Sequence, residues 1–214
     1  MISLILPYYN RQRAADVALA LIARHYTHLD LEVILVDDGS QPPFVNNTIA
    51  DVKVIRLPPK NEARANCTVM NRGVEAAKCD ILALSSVEML HRTPVLPQMR
   101  EELEKGDANT YVSAAVWCPT QNRWHAHSSL GRPPLHFMTM LKRDLWDRAG
   151  GFDEDYRDGM CFDDDDFVNR LLRAGMHYVY RDDLIVEHPR QGAKAKYTMH
   201  QHMRNRQIFE SKWG

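Results

Sequence analysis

The chain has 214 residues, of which 44% are hydrophobic and 26% charged, with a formal net charge of -1. That length corresponds to one domain, or one with a small appendage, and allows a substantial core. The near-zero charge excludes a global electrostatic pull toward nucleic acid or an anionic membrane surface. Cys67, Cys79, Cys118 and Cys161 form no C-x-x-C pair, so neither a zinc site nor a disulfide framework is indicated, which suits a reducing cytosol. No apolar run reaches membrane-spanning length, and the opening strand-like segment leaves no room for a signal peptide. The expectation is a cytoplasmic protein without a membrane anchor, of bacterial or phage origin. Charge is unevenly placed: residues 153–166 are strongly acidic, while residues 190–212 carry six Lys/Arg against one Glu.

In chain order, residues 2–6 predict a buried strand. The spacing over residues 11–26 predicts a helix with Val17, Leu21 and Ile22 among its inward positions. Residues 31–36 predict a second buried strand, 52–57 a short third, 62–78 a helix and 80–84 a fourth strand. Short apolar strands alternating with helices indicate an α/β sheet covered on both faces, with ligands bound beyond the carboxyl ends of the strands. After Thr93 the pattern changes. A helix is expected over 97–105 and a strand over 111–117, followed by a polar, mobile loop over 118–134. A strand over 137–141 and a short helix over 142–149, ended by Gly150-Gly151, come next. An acidic helix follows, then strands near 178–180 and 184–186 and a C-terminal helix from about Tyr197.

Four consecutive aspartates, Asp163 to Asp166, run into the helix-like stretch Phe167-Val168-Asn169-Arg170-Leu171-Leu172-Arg173. Adjacent carboxylates repel one another. Such a run needs solvent, a helix N-terminus, a metal, or a substrate whose proton one of them takes. Alone it reads as a solvated acidic cap. A second acidic signal lies upstream in Gly150-Gly151-Phe152-Asp153-Glu154-Asp155-Tyr156. At the other end of the chain, Val36-Asp37-Asp38-Gly39-Ser40 puts two carboxylates at a strand end, where Asp-Gly is also an ordinary turn pair. Pro7-Tyr8-Tyr9-Asn10-Arg11 leaves the first strand at the same edge, with an aromatic pair suited to stacking.

These segments resemble a known family. Leu6-Pro7-Tyr8-Tyr9-Asn10-Arg11-Gln12, Val36-Asp37-Asp38-Gly39-Ser40 and Asn71-Arg72-Gly73-Val74 look like the opening half of family 2 glycosyltransferases with the GT-A fold. Gly150-Gly151-Phe152-Asp153 and Asp163-Asp164-Asp165-Asp166-Phe167-Val168-Asn169-Arg170-Leu171 look like the acceptor half of inverting enzymes, especially β-1,4-galactosyltransferases and polypeptide GalNAc-transferases. The resemblance extends over nearly the whole chain. It implies a single Rossmann-like GT-A domain with a mixed, mainly parallel sheet flanked by helices on both faces. Residues 1–92 would form the nucleotide-sugar half and residues 93–214 the acceptor-binding and catalytic half.

The resemblance also implies roles. Asp38 matches an aspartate that holds the nucleotide base, and Arg64 a donor-contacting arginine. Pro7, Tyr8, Tyr9, Arg11, Asp37 and Asn71 complete the expected donor site. Asp163 stands where relatives have Glu, and Asp164 where they have the catalytic aspartate. Two motifs depart from the family. The usual Asp-x-Asp is replaced by Ser85-Ser86-Val87-Glu88, leaving Glu88 as the one carboxylate for Mn²⁺ or Mg²⁺. His188 matches a histidine that completes the metal site in some relatives, and an imidazole among oxygen ligands favours Mn²⁺. His91 is a weaker substitute. Before the acidic run, Asp158-Gly159-Met160-Cys161-Phe162 replaces a Trp/Gly-rich loop. That leaves Trp124, with His125, Gly151 and Asp165, as candidate acceptor contacts.

The expected reaction is an inverting, metal-dependent transfer from a nucleotide-sugar, with UDP-hexose the default donor. The acceptor would be a hydroxyl of a glycan, a protein or a modified nucleic acid. A degenerate carbohydrate- or nucleotide-sugar-binding module is the non-enzymatic alternative, supported by the incomplete Asp-x-Asp. A sugar nucleotidyltransferase is a second enzymatic alternative, and the lack of a Gly-rich, basic N-terminal loop speaks against it.

Overall fold

The computed structural model describes residues 1–59, 65–189 and 198–214. Its elements are β1 (Ile2–Tyr8), α1 (Gln12–His25), β2 (Leu31–Asp37), β3 (Lys53–Arg56), α2 (Cys67–Ala76), β4 (Ile81–Leu84), α3 (Leu96–Lys105), β5 (Thr110–Cys118), β6 (Arg123–Ala126), β7 (Thr139–Lys142), α4 (Arg143–Ala149), α5 (Asp163–Arg173), β8 (His177–Glu187) and α6 (Met199–Trp213). All eight strands join one sheet in the order β3-β2-β1-β4-β7-β5-β6, with β8 along the other side of β5. β1 pairs parallel with β2 and β4, and β2 with β3. β7 is antiparallel to both β4 and β5, whereas β8 runs parallel to β5. The sheet is therefore mixed, with a parallel N-terminal half.

Strand side chains alternate between the two faces, and each face buries its own helices. Leu4, Leu6, Leu35, Ala83, Val112 and Met140 pack with Ala15, Leu19 and Ile22 of α1 and with Leu96, Met99 and Leu103 of α3. Ile5, Ile34, Val36, Leu82, Leu84, Tyr111 and Leu141 pack with α2, α4 and α5 through Val69, Met70, Leu145, Trp146, Phe167 and Leu171. Each fully buried large aliphatic side chain contributes about 1.5–3 kcal/mol, so both helix layers are held by apolar burial.

Several expectations change in detail. Val17 points outward, at 42% exposure, and the inward face of α1 is Ala14, Ala15, Ala18, Leu19 and Ile22. Small alanines let α1 approach the sheet closely, so an exposed valine costs the helix little. The stretch over 118–134 contains β6, paired antiparallel with the end of β5, and a short turn of 3-10 helix at Ser128–Leu130. The two C-terminal strands are one long strand, β8, with a register shift opposite Ala114/Ala115. Of the helix expected over 62–78, only residues from Ala65 onward are described. The final helix is described from its cap at Thr198, and Tyr197 lies outside the described residues.

Candidate active site

The loop leaving β1 and the loop leaving β2 are tied together at the carboxyl edge of the sheet. Asp37 accepts hydrogen bonds from the backbone N–H of Ser40 (2.8 Å) and of Phe44 (3.1 Å). The Asn10 N–H donates to Ser40 Oγ (2.9 Å), and the Asn10 side chain accepts from the Gln41 N–H (2.9 Å). Asp38, also buried, donates its N–H to the Tyr8 carbonyl at 2.9 Å. Gly39 has φ +76°, and a Cβ there would lie 2.3 Å from the Pro58 carbonyl oxygen, so only glycine fits. Of the expected stacking pair, Tyr8 is buried edge-on against Phe44, with ring centroids 5.1 Å apart, while Tyr9 is half-buried. Burial and the Asp37 charge raise the Tyr8 pKa.

The segment after β4 presents Glu88. Ser86 Oγ accepts the Glu88 N–H at 3.1 Å, and two residues further on the chain meets the end of β8. Leu90 and Glu187 exchange backbone hydrogen bonds of 2.8 and 3.1 Å. This bridge brings Glu88 beside His188, with 3.7 Å between Oε2 and Nε2. Glu88 Oε1 pairs with Arg11 Nε at 3.1 Å. Burial pushes the Glu88 pKa up, but His188 and Arg11 outweigh it and hold the carboxyl below its ordinary value. His188 in turn sits against His125, Nδ1 to Nδ1 at 2.9 Å, and its backbone N–H donates to the Trp117 carbonyl. His125 is lowered to about 4 by burial and by its neighbours His188 and Arg123, so it is neutral at physiological pH. His91, by contrast, is buried against Tyr26 (2.7 Å), and only Glu88 and His188 meet.

The four aspartates divide the work of their run. All sit in the first turn of α5, where the helix dipole favours negative charge. Asp163 is buried and accepts the Asn66 N–H at 3.1 Å. Asp164 is half-buried and faces inward, whereas Asp165 is exposed. Asp166 is buried and accepts from Trp213 Nε1 (2.7 Å) and the Tyr156 hydroxyl (3.1 Å). Burial raises Asp163 to about 6. Burial, followed by the charges of Asp163 and Asp165, raises Asp164 well above its ordinary value. Ahead of the run, Cys161 and Phe162 both hold left-handed backbone, at φ 66° and 68°. Asn205 of α6 steadies this turn by donating to the carbonyls of Tyr156 (3.0 Å) and Cys161 (2.9 Å).

Pro7, Ser85, Ser86, Glu88, His136, Asp164 and His188 line one cavity of about 160 Å3. Residues far apart in sequence thus converge beyond the carboxyl ends of β1 and β4. His136 has no motif around it in the sequence. It is buried, shares a hydrogen bond with Tyr111, and is lowered to about 3 chiefly by burial. The Ser85 hydroxyl is buried in this wall with no hydrogen-bond partner among the described residues. A second cavity, of about 580 Å3, shares Phe137 with the first and is lined by Trp117, Arg123, Trp124, His125 and Arg132. Within it, Trp124 stacks one face on His127 (4.5 Å) and meets Trp117 edge-on (4.9 Å).

Two expected contacts are placed elsewhere. The Asn71 amide bonds both backbone groups of Phe152, at 2.9 Å each, and so couples α2 to the segment after α4 rather than lining either cavity. Gly151, at φ +64°, abuts that same amide and Trp146, so its lack of a side chain serves packing. Arg64 lies outside the described residues.

Glu88 and His188 suit a small divalent cation. A carboxylate oxygen and an imidazole nitrogen 3.7 Å apart can share an ion held at roughly 2.0–2.2 Å from each. Among the described residues no third His, Cys, Asp or Glu joins them, so remaining positions would fall to diphosphate and water.

The fold and this cavity define a glycosyltransferase of the GT-A class. Residues 3–157 match glycosyl transferase family 2, and the chain belongs to that family. Over 93 residues it is 30% identical to a chondroitin synthase of Pasteurella multocida, a match covering 41% of this chain and 9% of that protein. The chain spans less than a fifth of the length of the curated relatives it matches. Among solved structures it is similar to a mannosyltransferase of Pyrobaculum calidifontis in complex with GDP-Man and Mn²⁺. The TM-score is 0.63 at 19% identity, covering 94% of this chain and 59% of that one. The catalytic domain of Drosophila β1,4-galactosyltransferase 7, in complex with xylobiose, gives a TM-score of 0.62 at 13% identity, covering 96% and 79%. These bear out the expected GT-A fold. No helix among the described residues is long and apolar enough to cross a membrane.

Proposed function

We propose that this chain is a single-domain inverting glycosyltransferase that uses a divalent cation, with Asp164 as the general base. One observation carries the reading: Glu88, His188 and Asp164 line the same cavity at the sheet's carboxyl edge. The donor is a nucleotide-sugar, with UDP-hexose first in line. Its base lies toward Tyr9 and Asp38, while Tyr8 and Asp37 hold the loops that shape this end. Glu88 and His188 would hold Mn²⁺, or Mg²⁺, which when bound supplies positive charge against the leaving diphosphate. Arg11, already paired with Glu88, adds a fixed positive charge on the same side.

Asp164 takes the proton of the acceptor hydroxyl as that oxygen attacks the anomeric carbon from the face opposite the leaving group. Its raised pKa makes it a stronger base than an exposed aspartate. Asp163, hydrogen-bonded to Asn66, holds negative charge beside it. The larger cavity, with Trp117, Trp124, Arg123 and Arg132, receives the acceptor, and the exposed Asp165 lies toward solvent for a further contact. A glycan is the acceptor this lining favours, since an indole face suits a sugar ring and guanidinium groups suit its hydroxyls.

The test is a calorimetric screen of UDP-, GDP- and other nucleotide-sugars with Mn²⁺ and with EDTA. A metal-dependent response to one donor supports the reading. Product analysis by NMR should then show an inverted anomeric centre, and retention would refute the mechanism. If no donor binds, the degenerate binding module takes its place.

A further inference from the structure

His188 touches two partners through two different nitrogens, and only one of the two carries hydrogen in a neutral ring. Which one it is follows from groups outside the cavity. Arg123 Nε lies 3.0 Å from Gln121 Oε1. A guanidinium can only donate, so this contact fixes the amide of Gln121 with its oxygen toward Arg123. The same oxygen lies 3.0 Å from His125 Nε2. Since that oxygen only accepts, His125 Nε2 carries the hydrogen, and His125 Nδ1 is left as a lone pair. His125 Nδ1 is 2.9 Å from His188 Nδ1. Two lone pairs would not settle at hydrogen-bond distance, so His188 Nδ1 is the donor. His188 Nε2 then bears a lone pair.

We infer that the chain Arg123–Gln121–His125 is a tautomer relay that fixes His188 with its Nε2 lone pair facing Glu88 across the cavity. This is compatible with the 3.7 Å gap between His188 Nε2 and Glu88 Oε2. It is longer than an N–H···O hydrogen bond, so the geometry demands no proton on Nε2 in the neutral ring, and it is the protonated ring that would draw the Glu88 carboxyl below its ordinary value. Phe137 packs against both imidazoles, at 5.4 Å from His125 and 5.7 Å from His188, and holds their planes. His125 is thus a positioning residue, acting through His188, and its use toward a cation rests on the reading proposed above. Neutral histidine in water has no such fixed partner, so without His125 the ring would be free to place its hydrogen on Nε2 and turn a ligand into a donor. Outer partners of this kind typically change metal affinity about 10–100-fold.

The experiment is ¹⁵N NMR of the imidazole-labelled 214-residue chain at pH 8, without metal. The expected spectrum shows His188 protonated at Nδ1 and bare at Nε2, and His125 the reverse. Protonation of His188 at Nε2 would overturn the relay. His125→Phe keeps an aromatic ring but removes the acceptor, and His125→Asn keeps an acceptor oxygen. In a Mn²⁺ titration followed by electron paramagnetic resonance with UDP present, His125→Phe should bind Mn²⁺ about 10–100-fold more weakly, with partial rescue by His125→Asn. Unchanged affinity in a folded His125→Phe variant, checked by thermal melt, would remove the positioning role. If the wild-type spectrum is as expected but no Mn²⁺ binds, the relay stands and the cation reading fails.

Discussion

Leu90 and Glu187, 97 positions apart, exchange both backbone hydrogen bonds at 2.8 and 3.1 Å, and this short bridge sets Glu88 next to His188. The pair is reinforced by Arg92 to Glu187 at 2.8 Å. Neither candidate ligand is held by the strand that names its motif. Both are held by the place where two segments cross. Glu88→Gln should therefore leave the bridge and the fold intact while weakening Mn²⁺-dependent donor binding by roughly tenfold, about 1.4 kcal/mol, or more. Calorimetry with and without EDTA checks this, and equal donor affinity under both conditions in wild type would contradict the site.

Asp164→Asn removes the proposed base without changing side-chain size. The expected loss in kcat is about 10²–10⁴-fold, with donor binding retained. The same change should raise the melting temperature at any pH high enough to ionise Asp164, because it removes a charge from a buried cluster of carboxylates. Near-normal turnover, or a lowered melting temperature, would count against the assignment.

The aspartate pair also makes a prediction about pH. Asp163 is raised to about 6 in the folded chain, from an ordinary value of 3.8. Folded protein therefore holds a proton that unfolded chain has already lost across that window. By linkage, this group's contribution to stability falls as pH rises from about 4 to 6. Asp163→Asn should flatten that decline, while kcat of wild type should rise with pH as the coupled pair ionises. Denaturation and rate profiles measured together would reveal these opposite slopes, and parallel slopes would not fit.

Asn205→Leu tests the clamp on the turn before the aspartates. It leaves the carbonyls of Tyr156 and Cys161 without their donor, at a cost of about 1–3 kcal/mol. For a chain of this size that is roughly 2–4 °C of melting temperature per kcal/mol. A thermal melt unchanged from wild type would show that α6 does not hold the turn.

Trp124→Ala should raise the acceptor KM several-fold and leave donor affinity unchanged. If donor affinity falls equally, the larger cavity is not a separate acceptor compartment.

Most strands and helices were legible because buried strands read as unbroken apolar runs and helices as spaced ones, but the short, polar β6 was read as loop. β8 was read as two strands and not one, because the charged run Arg181-Asp182-Asp183 breaks its apolar pattern in mid-strand. The acidic run was visible as a site, but its division was not. One aspartate accepts a backbone N–H, one faces the cavity, one faces water and one holds Trp213, a difference set by helix phase and by what α6 brings against it. Asn71 and Gly151 carried the right motifs, yet their side chains or lack of them serve the contact between α2 and the turn after α4. His136 had no local pattern to mark it, since its neighbours Tyr111, Phe152 and Phe167 come from other parts of the chain, and Gln121 meets Arg123 and His125 only because the chain turns back from β5 into β6. Trp124 was found as an aromatic in a polar stretch, but the pairing of β6 with β5 decides that His127 covers one of its faces.

The stretch that carries the family's signature stops at residue 157, yet the walls of the cavity do not. A ribosome that has made the first 157 residues has produced Glu88 and the loops after β1 and β2, but neither Asp164 nor His188. The cavity comes together only when β8 threads in beside β5 and its last residue meets Leu90. A truncated chain ending before that crossing would therefore keep half of a binding surface and none of the paired chemistry, and any swap of C-terminal halves between relatives would have to carry the crossing point with it.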